Sequence, residues 1–163
     1  MLILSFFSKN DRSPLLAVES NFLITPFDLD FAATASSSYG EFSMLSRWHH
    51  FFEKRSLYEF YREGNVAFGH SELIRFRRAT KLFDQLRVVT QIIYWNEKTI
   101  YLQHKMYVKD ELKSIAICRL VGWNKINGKV SPQDIFPGIG VFEGPIPEVV
   151  AQMNKMNEAI NQL

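Results

Sequence analysis

The chain has 163 residues, of which 47% are hydrophobic and 14% aromatic; this excludes a disordered segment and suffices for one sizeable core. Its 19 basic and 17 acidic residues leave a net charge of +2, too balanced to indicate a nucleic-acid partner. The single cysteine excludes an internal disulfide, and no apolar run approaches the roughly 20 residues of a membrane helix. The apolar start, MLILSFF, lacks the features of a signal peptide. We therefore expect a cytoplasmic protein without stable membrane insertion.

A strand that leads into two acids opens the predicted fold. Residues 1–14 form a loosely specified lead-in, and alternating apolar side chains predict a strand over 15–27. Asp28 and Asp30 follow this strand, and a run of small residues at 32–38 separates them from the next element. The arrangement places carboxylates close to the start of the following helix.

A long amphipathic helix comes next. Ser38 and Glu41 fit a capping box, which predicts a helix N-terminus near Ser38. Large apolar side chains then recur at three- and four-residue steps and predict one buried face: Phe42, Leu45, Trp48 and Phe52. The helix is expected to reach about Tyr61, before Gly64 ends it.

Four strand-like runs follow the helix, at residues 66–78, 86–95, 99–108 and 113–123. The third alternates most clearly, with one predicted face formed by Ile100, Leu102, His104, Met106 and Val108. The connections at 96–98 and 109–111 are short enough for hairpins, and Asn127-Gly128 marks a further turn. Short connections predict an antiparallel meander.

The last part of the chain is predicted to be a loop followed by a helix. Residues 131–147 hold four prolines and three glycines and predict a surface loop. A helical stripe follows, with Pro147 at the first helical position: Val149, Met153, Met156, Ile160 and Leu163. The order predicts one α+β domain over 1–163, in which an antiparallel sheet wraps the central helix and 131–163 add a loop and a C-terminal helix.

Several motifs stand in a characteristic order: Asp28-Leu29-Asp30, Tyr39 with Arg47 eight residues later, FRRATKLFDQLRV at 76–88, and YWNEKTIYLQHKMY at 94–107. Together they resemble the hot-dog fold of acyl-CoA thioesterases, most closely the 4-hydroxybenzoyl-CoA thioesterase-like proteins. The resemblance extends over roughly 21–132 and implies a hot-dog fold. It also implies a homodimer at least, because active sites in this family lie between two subunits.

The resemblance implies hydrolysis of an acyl-CoA or related thioester, with Asp30 as the general base or the nucleophile. Thioester hydrolysis needs such an oxygen group and a means to stabilise the oxyanion, and free N–H groups at a helix N-terminus can supply the second. The expected substrate-binding residues are Ser36, Ser37, Ser38, Tyr39 and Gly40. Coenzyme A enters only as part of the substrate, and no cofactor is expected.

Two alternatives remain open because the loop departs from the family pattern. Ala32 to Ala35, Ser36 and Ser37 stand where relatives carry a histidine and an asparagine pair. The first alternative is a non-catalytic module of the same fold that binds acyl-CoA or another apolar ligand. The second is a hydratase, which normally needs an Asp–His pair on this loop.

Other polar residues have simpler interpretations. Glu41 is an alternative base but also fits the capping box, and Arg47 fits a solvated helix face. His49 and His50 are adjacent and cannot share one metal, so no metal site is expected. Cys118 alternates with apolar neighbours and is expected in the core. A basic concentration suits either coenzyme A phosphates or protection of a sheet edge: Arg75, Arg77, Arg78, Lys81 and Arg87.

Overall fold

The computed structural model describes residues 13–30, 33–53, 61–136 and 138–162. The first elements are β1 (Val18–Leu23), a short 3-10 helix (Pro26–Asp28), β2 (Leu29–Asp30), β3 (Ala33–Thr34) and the central helix α1 (Ser36–Glu53). The long strands are β4 (Asn65–Phe76), β5 (Gln85–Trp95), β6 (Thr99–Val108) and β7 (Glu111–Asn124). The chain continues through β8 (Gly128–Val130), α2 (Pro132–Ile135) and α3 (Glu148–Ile160).

The main sheet is antiparallel, with strand order β1-β5-β6-β7-β4 and β8 beside the end of β7. At the centre of the sheet, Leu102 of β6 lies directly opposite Ile92 of β5 and Cys118 of β7. β2 and β3 form a separate small hairpin just before α1. The predicted antiparallel meander holds for β5, β6 and β7, whose short hairpins fall where the sequence placed them. It is wrong for β4, which crosses the sheet to pair with β7 instead of β5.

Both faces of the sheet are covered. On the inner face, the predicted row from Ile100 to Val108 on β6 is buried beneath α1. On the outer face, Tyr101 packs against Val150 and Met153 of α3 and donates a hydrogen bond to Asn154 Oδ1 at 2.5 Å. Each fully buried large aliphatic side chain contributes about 1.5–3 kcal/mol, so both layers stabilise the sheet. The predicted α+β architecture, a sheet wrapped around a central helix with a C-terminal helix added, is confirmed.

The buried face of α1 differs from the predicted one. The helix begins at Ser36, so Ser38 lies inside its first turn and the predicted capping box with Glu41 is wrong. Leu45 and Phe52 are 37% and 43% exposed. The face against the sheet consists of bulky ends and a polar middle: Tyr39, Phe42, Ser43, Ser46, His49, His50 and Phe51. Small serine side chains let the helix axis approach the sheet closely, and hydrophobic periodicity alone does not reveal this.

Three further expectations need correction or fall outside the described residues. The predicted strand over 15–27 is regular only in β1, because the chain turns into the 3-10 helix at Pro26. The segment 131–147 is not simply a surface loop, since Ser131 and Asp134 cap α2 and several of its side chains are buried: Ile135, Phe136 and Ile139. The lead-in up to residue 12 and the helix continuation over 54–60 lie outside the described residues.

α3 also presents a different face from the predicted one. Met153 is buried, together with Val150, whereas Val149, Met156 and Ile160 are exposed. Pro147 precedes the helix as its N-cap residue, one position before the predicted place. None of the described helices is long and apolar enough to cross a membrane.

Candidate functional site

The two acids before α1 have different surroundings. The Thr25 N–H and hydroxyl donate to Asp28 Oδ2 at 2.7 and 2.6 Å, so this carboxylate closes the 3-10 turn. The Asp28 carbonyl accepts from the Ala35 N–H at 2.8 Å and from the Ser38 hydroxyl at 3.1 Å. Asp28 therefore holds the hairpin against the start of the helix.

Asp30 is the last residue of β2 and is exposed. It pairs with Ala33 across the hairpin, and the next residue, Thr34, donates its N–H to the Thr80 carbonyl at 3.3 Å. The hairpin is thus fastened to the loop between β4 and β5. Asp30 is therefore an accessible carboxylate on the hairpin that precedes α1.

The five predicted substrate-binding residues occupy the first turns of α1, but they do not share one environment. Ser36 and Ser37 are exposed, and Gly40 is half-buried. Ser38 is buried through its bond to Asp28, and the buried Tyr39 hydroxyl lies 3.1 Å from Thr80 Oγ1. Backbone N–H groups in the first turn have no intrahelical acceptor, so the exposed serines mark where a ligand oxygen can bind.

A cleft opens beside this helix start and is called the helix-start cleft below. Its volume is about 240 Å³. Its lining residues come from β3, α1 and the end of β4: Thr34, Ser36, Tyr39, Phe76, Arg77, Arg78 and Ala79. Two arginines beside free N–H groups favour an anionic or strongly polar ligand.

A second opening lies farther along α1, between the helix and β4, and is called the apolar pocket below. Its volume is about 170 Å³. The lining is almost entirely apolar, apart from one arginine: Met44, Arg47, Trp48, Phe51, Ala67, Phe68, Gly69 and Leu120. Apolar walls around a small volume suit a hydrocarbon or aryl group.

Glu72 lies on β4 near the part of α1 that separates the two openings. The residue is exposed overall, but its carboxyl turns toward the helix, with Oε2 4.0 Å from the position that a Cβ would take at Gly40. Burial of the carboxyl raises the pKa of Glu72, although the Arg47 charge and a hydrogen bond with Ser43 act in the opposite direction. Sequence reasoning missed this residue, because nothing in the sequence connects β4 with Gly40.

Arg47 is not the solvated helix-face arginine that the sequence suggested. It is half-buried and donates a hydrogen bond to Cys118 Sγ beneath β4. Cys118 is fully buried, as predicted, and burial raises the pKa of its thiol to about 11. The thiol is therefore protonated at neutral pH, and this cysteine is not a nucleophile.

A Ser–His–acid arrangement occurs at the other edge of the sheet. Ser20 Oγ of β1 lies 2.8 Å from His49 Nδ1, and His49 Nε2 lies 3.6 Å from Glu53 Oε1. Such a sequence of groups is typical of activated serine nucleophiles. Here Ser20 and His49 are only 5% and 7% exposed, and neither residue lines the two openings described above. The arrangement holds α1 to β1.

The predicted basic concentration divides into separate parts. Arg77 and Arg78 line the helix-start cleft, and Arg78 also pairs with Glu111. Arg87 pairs with Glu19 at 3.2 Å and lies over the Tyr107 ring at 4.9 Å. Within the described ranges, no group of three histidine, cysteine or acidic side chains is arranged to hold a metal ion.

Comparison with protein-family models matches residues 24–134 to the Thioesterase-like superfamily. No curated protein matches the sequence. The structure is similar to that of the Escherichia coli probable thioesterase YbaW, with a TM-score of 0.65 and 18% identity over 69% of this chain and 88% of the other.

Two Staphylococcus aureus structures are also similar. SAV2348, solved in complex with CoA, has a TM-score of 0.67 and 16% identity over 81% of this chain and 96% of the other. The DHNA-CoA thioesterase has a TM-score of 0.65 and 10% identity over 90% of this chain and 94% of the other. The predicted hot-dog fold and the resemblance to hot-dog thioesterases are thereby confirmed.

Proposed function

The chain belongs to the Thioesterase-like superfamily, and we propose that it hydrolyses an acyl-CoA or a related thioester. The observation that carries the proposal is the pair of openings along one side of α1. One opening is polar and cationic, and the other is apolar. A thioester joins a polar, anionic carrier to an apolar acyl group, so its two halves match the two openings.

The carrier end suits the helix-start cleft. Arg77 and Arg78 can pair with phosphate oxygens, and Ser36 can donate a hydrogen bond to the thioester carbonyl or to a water molecule. SAV2348, which has a similar fold, was solved with CoA, and this supports a coenzyme A carrier. The acyl end suits the apolar pocket, whose volume of about 170 Å³ fits a short chain or one ring.

The proposed chemistry uses the exposed carboxylate and the helix start. Asp30 acts as the base that activates water or as the nucleophile that attacks the thioester carbon. N–H groups of the first turn, around Ser36 and Ser37, stabilise the oxyanion that forms on the carbonyl. Coenzyme A is part of the substrate, and the reaction needs no further cofactor.

A homodimer is part of the proposal. β4 lies at one end of the strand order, and its apolar side chains Phe68, Leu73 and Phe76 are between 38% and 48% exposed. A long edge strand with exposed apolar groups favours pairing with a second copy. Light scattering that gives the mass of a monomer at micromolar concentration would contradict this part. A single domain and a cytoplasmic location remain expectations.

The alternative is a module that binds acyl-CoA or another apolar ligand without turnover. The observation that favours it is the segment that leads into α1 and begins it, where this sequence has Ala32 to Ala35, Ser36 and Ser37. The family resemblance implies a histidine and an asparagine pair at these positions. Binding and hydrolysis use the same two openings, so only measurements of turnover separate these functions.

Short-chain, medium-chain, long-chain and aromatic acyl-CoAs, assayed by release of free thiol, test the proposal. We expect turnover of at least one class, and we expect Asp30→Asn to lower kcat about a hundredfold or more, the usual contribution of such a group. Asp110→Asn is the matched control, because Asp110 is also an exposed acid at a hairpin. Unchanged kcat in Asp30→Asn would remove Asp30 from the mechanism, and binding without any turnover would favour the module.

A further inference from the structure

Glu72 lines neither opening, but its carboxyl lies beside Gly40, on the part of α1 between them. On α1, the helix-start cleft ends at Tyr39 and the apolar pocket begins at Met44. On β4, Glu72 lies between the residues that line one opening and those that line the other. A thioester with its carrier in the cleft and its acyl group in the pocket would have to cross the stretch of α1 that this carboxyl faces.

The Glu72 carboxyl lies against α1 at Gly40. Glu72 Oε2 is 4.0 Å from the place of a Cβ at Gly40, so the carboxyl lies close to the helix backbone. Gly40 is four residues from Ser36, which is about 6 Å along the helix axis. A carbonyl oxygen bound by the first-turn N–H groups would thus have its carbon within reach of a water molecule held by Glu72.

The neighbours of the carboxyl fix its direction and its basicity. The Ser43 hydroxyl, fully buried on α1, donates to the Tyr39 carbonyl at 3.0 Å and lies near enough to Glu72 to act on its pKa. The positive charge of Arg47 lowers the pKa of Glu72, whereas the Cys118 thiol, which is bound to Arg47, is neutral. Because burial outweighs these partners, the pKa of Glu72 is raised, which makes its carboxylate a stronger base.

We propose that Glu72 is a catalytic residue that takes a proton from the water molecule attacking the thioester carbonyl. The water oxygen bonds to the carbonyl carbon, the proton passes to a Glu72 oxygen, and the carbonyl electrons form an oxyanion at the helix start. Collapse of this intermediate re-forms the carbonyl and breaks the C–S bond. The leaving thiolate then takes the proton from Glu72, which gives one carboxylic acid and one thiol per water consumed.

This inference rests on the proposed thioester hydrolysis, and it gives Asp30 a role other than that of base for the attacking water. If Asp30 is the nucleophile, Glu72 activates the water that hydrolyses the resulting acyl-enzyme. If Asp30 only helps to bind the substrate, Glu72 is the base of a direct attack by water. In both cases the loss of the Glu72 carboxylate slows the step in which water adds.

The test is steady-state hydrolysis of the best acyl-CoA by Glu72→Gln, Glu72→Asp and the unaltered chain between pH 4 and 9. We expect Glu72→Gln to lower kcat about a hundredfold or more, with KM changed less than about threefold. The acidic limb of the kcat profile should disappear in the same variant. Glu72→Asp, which keeps a carboxylate, should retain more activity, and the exposed Glu158→Gln on α3 is the control that changes neither constant.

The outcomes separate this inference from the proposed function. If Glu72→Gln keeps kcat within about threefold and keeps the acidic limb, while the unaltered chain hydrolyses thioesters, the role of Glu72 is overturned and the hydrolase function stands. A fall in kcat that accompanies a lower melting temperature and an unchanged pH profile would make Glu72 a structural residue. If the unaltered chain releases no thiol from any acyl-CoA, both proposals fail together.

Discussion

α1 carries one polar cluster toward each edge of the sheet. Toward β1, Ser20, His49 and Glu53 form a Ser–His–acid arrangement with separations of 2.8 and 3.6 Å. Toward β4, Glu72 meets Ser43 beside the first turns of the helix. The first cluster contains the more familiar catalytic groups, but Ser20 and His49 are buried. Neither cluster lines an opening, but Glu72 lies beside the part of α1 that is between the two openings.

The comparison teaches that access, more than residue type, separates a structural polar group from a chemical one. A buried hydroxyl with a hydrogen-bond partner stabilises packing and has no route to substrate. A carboxyl on the part of the helix between a polar and an apolar opening is placed where the two halves of a thioester would join. Three variants probe this difference, and they are described from the largest expected effect to the smallest.

Acid should lower the free energy of unfolding, because a histidine is buried in the interior between the two clusters. His104 is fully buried, accepts or donates a hydrogen bond with Thr90 Oγ1 at 2.9 Å, and has its pKa lowered to about 3 by burial and by the charges of Arg47 and His50. Below the ordinary histidine pKa of about 6.5 the unfolded chain binds a proton that the folded chain does not. Stability should therefore fall by about 1.4 kcal/mol per pH unit between pH 6.5 and 3 from this group alone.

Urea unfolding between pH 4 and 8 measures this slope, and His104→Asn should make it shallower. The exposed His70→Asn on β4 should leave the slope unchanged. An equal slope in the unaltered chain and in His104→Asn would show that protonation of His104 does not limit stability in acid.

Filling the apolar pocket should change which acyl groups the protein prefers as substrates. Ala67→Leu places a larger side chain among the walls formed by Trp48, Phe51 and Leu120. We expect kcat/KM for the longer or aromatic acyl groups to fall about tenfold, the usual cost of losing one or two methylene-sized spaces. The value for acetyl-CoA should hardly change, because acetyl does not reach the pocket.

Val66→Leu, one residue away and on an exposed position of the same strand, is the control for this measurement. An unchanged order of acyl preference in Ala67→Leu would mean that the acyl group does not enter the apolar pocket.

Removing the Ser20 hydroxyl from the Ser–His–acid arrangement should lower stability without changing kcat. Ser20→Ala deletes one hydrogen bond of the buried His49, at a cost of about 1 kcal/mol. Thermal unfolding should show this loss, while kcat stays within about twofold. If kcat instead fell a hundredfold in a folded protein, Ser20 would be the nucleophile and the comparison would reverse.

The strands were the most predictable part of the molecule. β6 spans Thr99–Val108, the predicted range, because strict alternation and short turns at both ends leave little freedom in its register. Gly128, with φ of 77°, takes the left-handed conformation that the Asn-Gly turn requires. Neighbouring residues determine the bounds of this strand and the conformation of this turn, so both can be predicted from the sequence.

The buried face of α1 and the position of Glu72 were not predictable. Leu45 and Phe52 follow helical periodicity yet face outward, because the closely packed side is set by Ser43 and Ser46 against a curved sheet. The proximity of Glu72 to Gly40 arises only when β4 folds beside the helix. Asp30 was identified through family resemblance, and its role awaits measurement.

The most direct test of the central claim is release of thiol from acyl-CoA by the unaltered chain, followed together with formation of the free carboxylic acid. The account predicts equal amounts of both products over many turnovers per protein chain, with higher kcat/KM for acyl groups that fill the apolar pocket than for acetyl. Tight binding of acyl-CoA with no thiol released above the rate in buffer would contradict it.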